Sequence, residues 1–127
     1  MTCPSLPVEG DWHEVSRSYI YGIANDASNR RKGWLKKGKN RYVESMQIES
    51  PSDFFLYADS AKPQGSKYAQ NLYFVWSQTN KVKAHARHNE SVNIWFVDGH
   101  AQGNKKGALR KMNFTQYYTE GFSAINF

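Results

Sequence analysis

The stretch of sequence that decides the fold is residues 88 to 100, H-N-E-S-V-N-I-W-F-V-D-G-H. His88 is followed after nine residues by Asp98-Gly99, and the intervening segment ends in a four-residue apolar run. An apolar run broken by Asp-Gly indicates a tight β-hairpin, because Asp and Gly tolerate the positive φ angles of a two-residue type I′ turn. We therefore predict a hairpin over residues 93 to 102 with Asp98-Gly99 at its tip.

The faces of this hairpin follow from the two-residue period of a β-strand. Trp95 and Val97 are expected on one side, and Ile94 and Phe96 on the other. At least one of these faces must be buried, and we place Trp95 in the core.

Other short runs are typical of β-strands. Residues 41 to 48 alternate in polarity, residues 54 to 58 are an apolar run expected to be buried on both faces, and residues 72 to 76 form a third such run. Residues 81 to 88 alternate cleanly, with small apolar side chains on one face and basic or histidine side chains on the other. This pattern predicts a half-exposed antiparallel strand. The predicted fold class is α+β dominated by antiparallel β.

A length of 127 residues favours a single domain over residues 1 to 127, in which residues 1 to 12 form an irregular lead-in. Eight Tyr, seven Phe and four Trp supply large rings for a small core. Cys3 is the only cysteine, so an internal disulfide is excluded.

The net charge of +6 is concentrated in residues 26 to 40, which we predict to be an exposed, mobile basic loop. An alternative hypothesis is a phosphate-binding loop in which Trp34 stacks on a base. The residues of possible interaction are Arg30, Arg31, Lys32, Trp34, Lys36 and Lys37.

The histidines and carboxylates give no pattern that indicates catalysis. A nucleophile elbow, a phosphate-cradling glycine loop and an H-E-x-x-H helix are all missing from the sequence. His88 and Asp98 would lie roughly 20 Å apart along an extended strand, too far to share a metal ion. We expect His88 to donate its ring N–H to a backbone carbonyl and Asp98 to accept backbone N–H groups in its turn. Asp59 is expected to cap a loop or to hold a cation.

Four elements, in order along the chain, resemble those of prepilin-like and pseudopilin-like proteins related to type II secretion. The longest is the H-x9-D-G element, whose structural motif residues here are His88, Asn93, Asp98, Gly99 and His100. The other three are C-P-S at residues 3 to 5, S-Y-I-Y-G-I-A-N at residues 18 to 25, and P-S-D-F-F-L-Y-A-D-S at residues 51 to 60.

The resemblance implies a non-enzymatic, pilin-like soluble domain without catalytic, cofactor-binding or metal-binding residues. Its partners would be other pilin-like or secretion-system subunits. The domain would be located in the cell envelope or outside the cell, on the periplasmic face. The basic leader and G-F-T-L-I-E motif of a prepilin do not precede Cys3. We therefore expect membrane attachment only through an anchor helix that this chain lacks.

Two other classes of function stay open. A carbohydrate- or polymer-binding module would use exposed aromatic rings. The rings to inspect are Trp12, Trp34, Trp76 and Trp95, of which Trp95 is expected in the core. A small nucleic-acid-binding protein would use residues 30 to 41, although no nucleic-acid-binding fold motif accompanies them and we expect no nucleic-acid partner.

Overall fold

The computed structural model of the chain describes residues 22–24, 32–37, 40–71, 73–77 and 80–127. Within these ranges the chain forms twelve strands, one 3-10 helical turn (Ser45–Gln47) and one α-helix, α1 (Lys106–Lys111). The strands are β1 (Gly22–Ala24), β2 (Trp34–Lys37), β3 (Asn40–Val43), β4 (Phe55–Ala58), β5 (Ser60–Gln64), β6 (Lys67–Ala69), β7 (Tyr73–Phe74), β8 (Lys83–Ala84), β9 (Val92–Phe96), β10 (Ala101–Asn104), β11 (Gln116–Tyr118) and β12 (Ala124–Asn126).

The main sheet has five strands in the order β10-β9-β4-β1-β7. All of its pairs are antiparallel except β1 with β7. A three-stranded sheet, β6-β5-β8, and the two-stranded pairs β2-β3 and β11-β12 complete the described part. The expectation of mostly antiparallel strands with little helix is confirmed. In this part of the chain, α1 and the 3-10 turn are both far too short to cross a bilayer.

The hairpin formed by β9 and β10 is confirmed, with Trp95 opposite Ala101 and Asn93 opposite Gly103. Val92, Ile94 and Phe96 are buried, because they face the core. Trp95 lies on the other face and is only half-buried, so its placement in the core was wrong.

The turn of this hairpin is not the two-residue type I′ turn that the sequence predicts. The Gly99 N–H donates to the Phe96 carbonyl at 3.0 Å, and the Phe96 N–H donates to the His100 carbonyl at 3.0 Å. Gly99 has a φ of +94°, whereas neither Val97 nor Asp98 has a positive φ. These features describe a three-residue loop, in which a type I turn is followed by a glycine in the left-handed region.

The core lies against one face of the main sheet and is built from aromatic rings. Phe55 contacts the rings of Trp76 at 5.3 Å and Phe114 at 5.0 Å, and Phe74 stacks on Phe114 at 5.9 Å. The aliphatic members are Val92, Ile94 and Leu109. Aromatic rings therefore supply much of the bulk of this core.

The run at residues 54 to 58 is not buried on both faces. Its strand, β4, has a register shift between Phe55 and Tyr57, and the Tyr57 side chain is 43% exposed. The alternating run at residues 81 to 88 is predicted to be half-exposed, but residues 82 to 87 are buried on both faces. Lys83, His85 and Arg87 are buried like the alanines between them. Lys83 lies over the Tyr118 ring, His85 stacks on Phe122, and Arg87 pairs with Asp59, so the face that was expected to meet solvent is covered.

The basic segment also differs from the prediction. Strands β2 and β3 pair antiparallel within it, so it contains a hairpin instead of an irregular loop. The strand expected over residues 41 to 48 ends at Val43 and is followed by the 3-10 turn. The predicted lead-in at residues 1 to 12 lies outside the described residues, and so do Arg30 and Arg31.

Candidate functional site

Asp59 lies at the junction of three strands. It follows β4 directly, its backbone N–H donates to the Asn93 carbonyl at 3.0 Å, and its own carbonyl accepts the His85 N–H at 2.9 Å. Its side chain has no exposed surface, and its Oδ2 accepts the Asn93 backbone N–H at 3.1 Å. The side chain and main chain of Asp59 therefore both hold β9 in register beside β4.

Arg87 reaches the same carboxylate from the segment after β8. Its Nε lies 3.8 Å from Asp59 Oδ1, and both side chains are almost wholly inaccessible to solvent. The Arg87 Nη2 donates to the Ser60 carbonyl at 2.6 Å. Within the described structure, Asp59 Oδ1 and Arg87 Nε and Nη1 form no hydrogen bond, so the pair is held by charge. We call Asp59, Ser60, Arg87 and Asn93 the Asp59 cluster.

Burial raises the pKa of Asp59 above its ordinary value, while the charge of Arg87 and the Asn93 N–H oppose this shift. A buried carboxylate beside a buried guanidinium is costly to disrupt, because removal of one partner leaves the other as an uncompensated charge. The sequence predicts that Asp59 caps a loop or holds a cation, but its carboxylate accepts the N–H of Asn93 in β9. The carboxylate faces Arg87 in the interior.

His88, which the sequence predicts to donate its ring N–H to a backbone carbonyl, lies at the surface. Its side chain is 45% exposed, and its Nε2 lies 3.9 Å from Asp59 Oδ2. Its backbone forms an isolated antiparallel bridge with Ser91, which closes the turn between Arg87 and β9. His88 thus lies at the solvent-facing edge of the Asp59 cluster.

The buried histidine is His85, which is only 2% exposed. Its ring stacks on Phe122 at 4.5 Å, and its two ring nitrogens form no hydrogen bond of good geometry within the described structure. Burial lowers the pKa of His85 to about 4, and the nearby Arg87 charge acts in the same direction. The ring is therefore neutral at pH 7.

Phe122 occupies the position in the β11–β12 turn that Gly99 occupies in the β9–β10 turn. Its N–H donates to the Thr119 carbonyl at 2.9 Å, and its φ is +64°. A bulky residue in this region is strained, but the ring is held by stacking on Tyr68 at 4.2 Å and on His85. Sequence reasoning missed this contact, and the only signal was the concentration of aromatic residues between 114 and 127.

Asp98 and His100 form a separate pair at the tip of the β9–β10 hairpin. Asp98 Oδ1 accepts the His100 backbone N–H at 3.1 Å, which is the kind of turn-closing bond that its position predicts, and it lies 2.6 Å from His100 Nδ1. These bonds lower the pKa of Asp98. The His100 ring stacks on Phe96 at 4.3 Å.

The polar residues of the H-x9-D-G segment thus divide between two places. Asn93 and His88 lie at the Asp59 cluster, and Asp98 and His100 lie at the hairpin tip. Among the residues that the structure describes, no three His, Cys, Asp or Glu side chains are grouped to hold a metal ion.

The residues considered for nucleic-acid or carbohydrate binding do not all lie together. Lys32 forms an ion pair with Glu49 on the surface, while Trp34, Lys36 and Lys37 lie in β2. Trp76 is 6% exposed and belongs to the core, and Trp12 lies outside the described residues.

Comparisons with protein-family models, with curated proteins and with solved structures found no match to this chain. Its function is therefore inferred from the arrangement of its own residues.

Proposed function

We propose that the chain is a non-enzymatic, pilin-like domain of a type II secretion or pilus-like assembly, acting in subunit or substrate contacts. In this proposal the H-x9-D-G segment is a structural element. The observation that supports it most is the contact between two of the four elements that carry the family resemblance. Asp59, from the A-D-S element, accepts the backbone N–H of Asn93, from the H-x9-D-G element.

The chemistry of the motif residues agrees with a structural role. Asp59 is buried against Arg87, Asp98 closes its own turn, and Gly99 provides the positive φ that the turn requires. Each of these residues is committed to holding the fold, and general acid–base or nucleophilic chemistry needs groups that reach a substrate.

The sheet face opposite the core is the surface proposed for subunit contacts. Tyr57 and Ala101 are exposed on this face, on either side of the half-buried Trp95, and the three residues are cross-strand neighbours on β4, β9 and β10. Aromatic residues that are partly exposed on a sheet are typical of protein interfaces.

Photo-cross-linking in the native cells tests this proposal. A photoreactive amino acid would replace Tyr57 in the natural gene product, with Lys67, an exposed residue of the three-stranded sheet, as the matched control position. We expect cross-links from position 57, and not from position 67, to proteins that begin with a prepilin-type apolar helix. Cross-links to unrelated cytosolic proteins, or none from position 57, would contradict the proposal.

The alternative is a carbohydrate-binding module, and the pairing of Tyr57 with Trp95 is the observation that favours it. Adjacent rings on one sheet face can stack on apolar faces of sugars. Titration with soluble polysaccharides, followed by tryptophan fluorescence, would test it. Saturable quenching that is lost in Tyr57→Ala would support this alternative over the pilin-like domain.

A further inference from the structure

Strand β10 forms an unprotected edge of the main sheet. It is the outermost strand of the order β10-β9-β4-β1-β7, and Ala101, Gln102 and Gly103 are all exposed. Its register with β9 is continuous from Ala101 to Asn104, and the strand contains neither Lys nor Pro. Lysine, proline and bulges are the features that commonly keep the edge strand of a sheet from pairing with another chain. The β10 strand has none of them.

The register of the β9–β10 hairpin shows which backbone groups of β10 point away from the sheet. The Phe96 N–H donates to the His100 carbonyl, and bonded pairs alternate with non-bonded pairs along an antiparallel ladder. Gln102 therefore bonds to β9, whereas the N–H and C=O groups of Ala101 and Gly103 point outwards. In the described part of the chain these outward groups make no backbone hydrogen bond, so they can bond to a further strand.

The two ends of β10 carry opposite charges. Asp98, in the hairpin tip before the strand, has a side chain that is 33% exposed, and Lys105 and Lys106, which follow the strand, are both exposed. If two copies of β10 paired in parallel, carboxylate would lie beside carboxylate and lysine beside lysine. Antiparallel pairing instead places the hairpin tip of each copy beside the lysines of the other, and opposite charges favour this arrangement.

From the outward backbone groups and the charges together, we propose that the β10 edge pairs antiparallel with the β10 edge of a second copy of this chain. A two-fold axis at Gln102 would place Ala101 of each copy opposite Gly103 of the other, and each such pair would exchange hydrogen bonds. The two main sheets would then form one continuous sheet. This contact uses the edge of the main sheet and not the face proposed for subunit contacts, and it does not depend on the pilin-like assembly.

Amide hydrogen exchange, measured from dilute to concentrated solution of the purified chain, tests the pairing at the atoms concerned. We expect the Ala101 and Gly103 amides to exchange more slowly as the concentration rises, because their N–H groups then donate to the second copy. The Gln102 amide is the internal control, since it already bonds to β9, and its exchange should change far less. Fast exchange at Ala101 and Gly103 at every concentration would overturn the proposal.

Two matched charge variants test the antiparallel arrangement. Lys105→Glu/Lys106→Glu would place glutamates beside Asp98 of the other copy, whereas Lys67→Glu/Lys81→Glu changes exposed lysines outside the main sheet. Both variants lower the net charge from +6 to +2, because each Lys→Glu change subtracts two charges. Net charge is therefore the same in the two variants, and only the position of the change differs.

Sedimentation equilibrium gives the dissociation constant of the dimer for each variant. A lower net charge reduces the repulsion between copies, so the Lys67/Lys81 variant should dimerise at least as tightly as the unaltered chain. The Lys105/Lys106 variant should dimerise on the order of tenfold more weakly, since attraction becomes repulsion on both sides of the two-fold axis. A monomer at every concentration, or equal dissociation constants for the two variants, would contradict the antiparallel β10 pair.

Discussion

The pH dependence of stability should follow from the burial of His85. The ring lies under Phe122 with a pKa of about 4, against about 6.5 for a histidine in the unfolded chain. Below pH 6.5 the unfolded chain takes up a proton at this ring that the folded chain does not. The contribution of His85 to the free energy of unfolding is therefore highest above pH 6.5, falls as the pH drops towards 4, and is constant below that.

The size of the effect follows from the same two pKa values. Linkage gives a loss of about 2 kcal/mol between pH 8 and pH 5, and about 3 kcal/mol at pH 4. For a small domain this is a large fraction of the total stability.

His85→Phe is the matched variant, because it keeps a flat ring against Phe122 and removes the titrating group. Urea unfolding of both proteins at pH 8 and pH 5 gives the two free-energy differences. We expect the unaltered chain to lose about 2 kcal/mol more than the variant, since other titrating groups such as Asp59 are common to both. The same pH dependence in both proteins would refute the burial of a neutral His85.

Two further predictions concern the β9–β10 and β11–β12 turns, each of which contains a residue with a positive φ. Gly99→Val should destabilise the chain by about 1–2 kcal/mol, because no atom lies near the added Cβ and the cost comes from the positive φ alone. The control, Gly107→Ala in α1, should not destabilise the chain. Equal melting temperatures for the two variants would exclude the turn. Phe122→Gly should relieve backbone strain but expose His85 to solvent. An NMR titration should then show the pKa of His85 moving towards 6.5. A pKa still near 4 would show that Phe122 does not shield His85 from solvent.

The sequence predicts the β9–β10 hairpin well, because the signal is local. Asp98-Gly99 interrupts an apolar run, and the tip lies at that dipeptide. The turn type was wrong, since only Gly99 takes a positive φ while Asp98 accepts the His100 N–H. An Asp-Gly pair is compatible with both loop lengths, so the dipeptide alone does not distinguish them.

The buried sites were not predictable in the same way, because they depend on contacts between distant parts of the chain. His85 and Arg87 alternate with alanines as in a half-exposed strand, yet Phe122, in the β11–β12 turn more than 30 residues later, covers His85. Asp59 finds Arg87 across a similar separation. A local period of two shows which residues share a face, but it does not show whether a second layer covers that face.

The central claim is that Asp59 and Arg87 act as one buried charged pair, which supports the Asp59 carboxylate where it joins the A-D-S element to Asn93 of the H-x9-D-G element. A double-mutant cycle with Asp59→Asn, Arg87→Met and the double variant, measured by urea unfolding, tests it most directly. Each single change should cost about 3–5 kcal/mol, because it leaves one buried charge alone, and the double variant should cost far less than the sum. Costs that add to within about 0.5 kcal/mol would show that the two residues are independent, and would contradict this account.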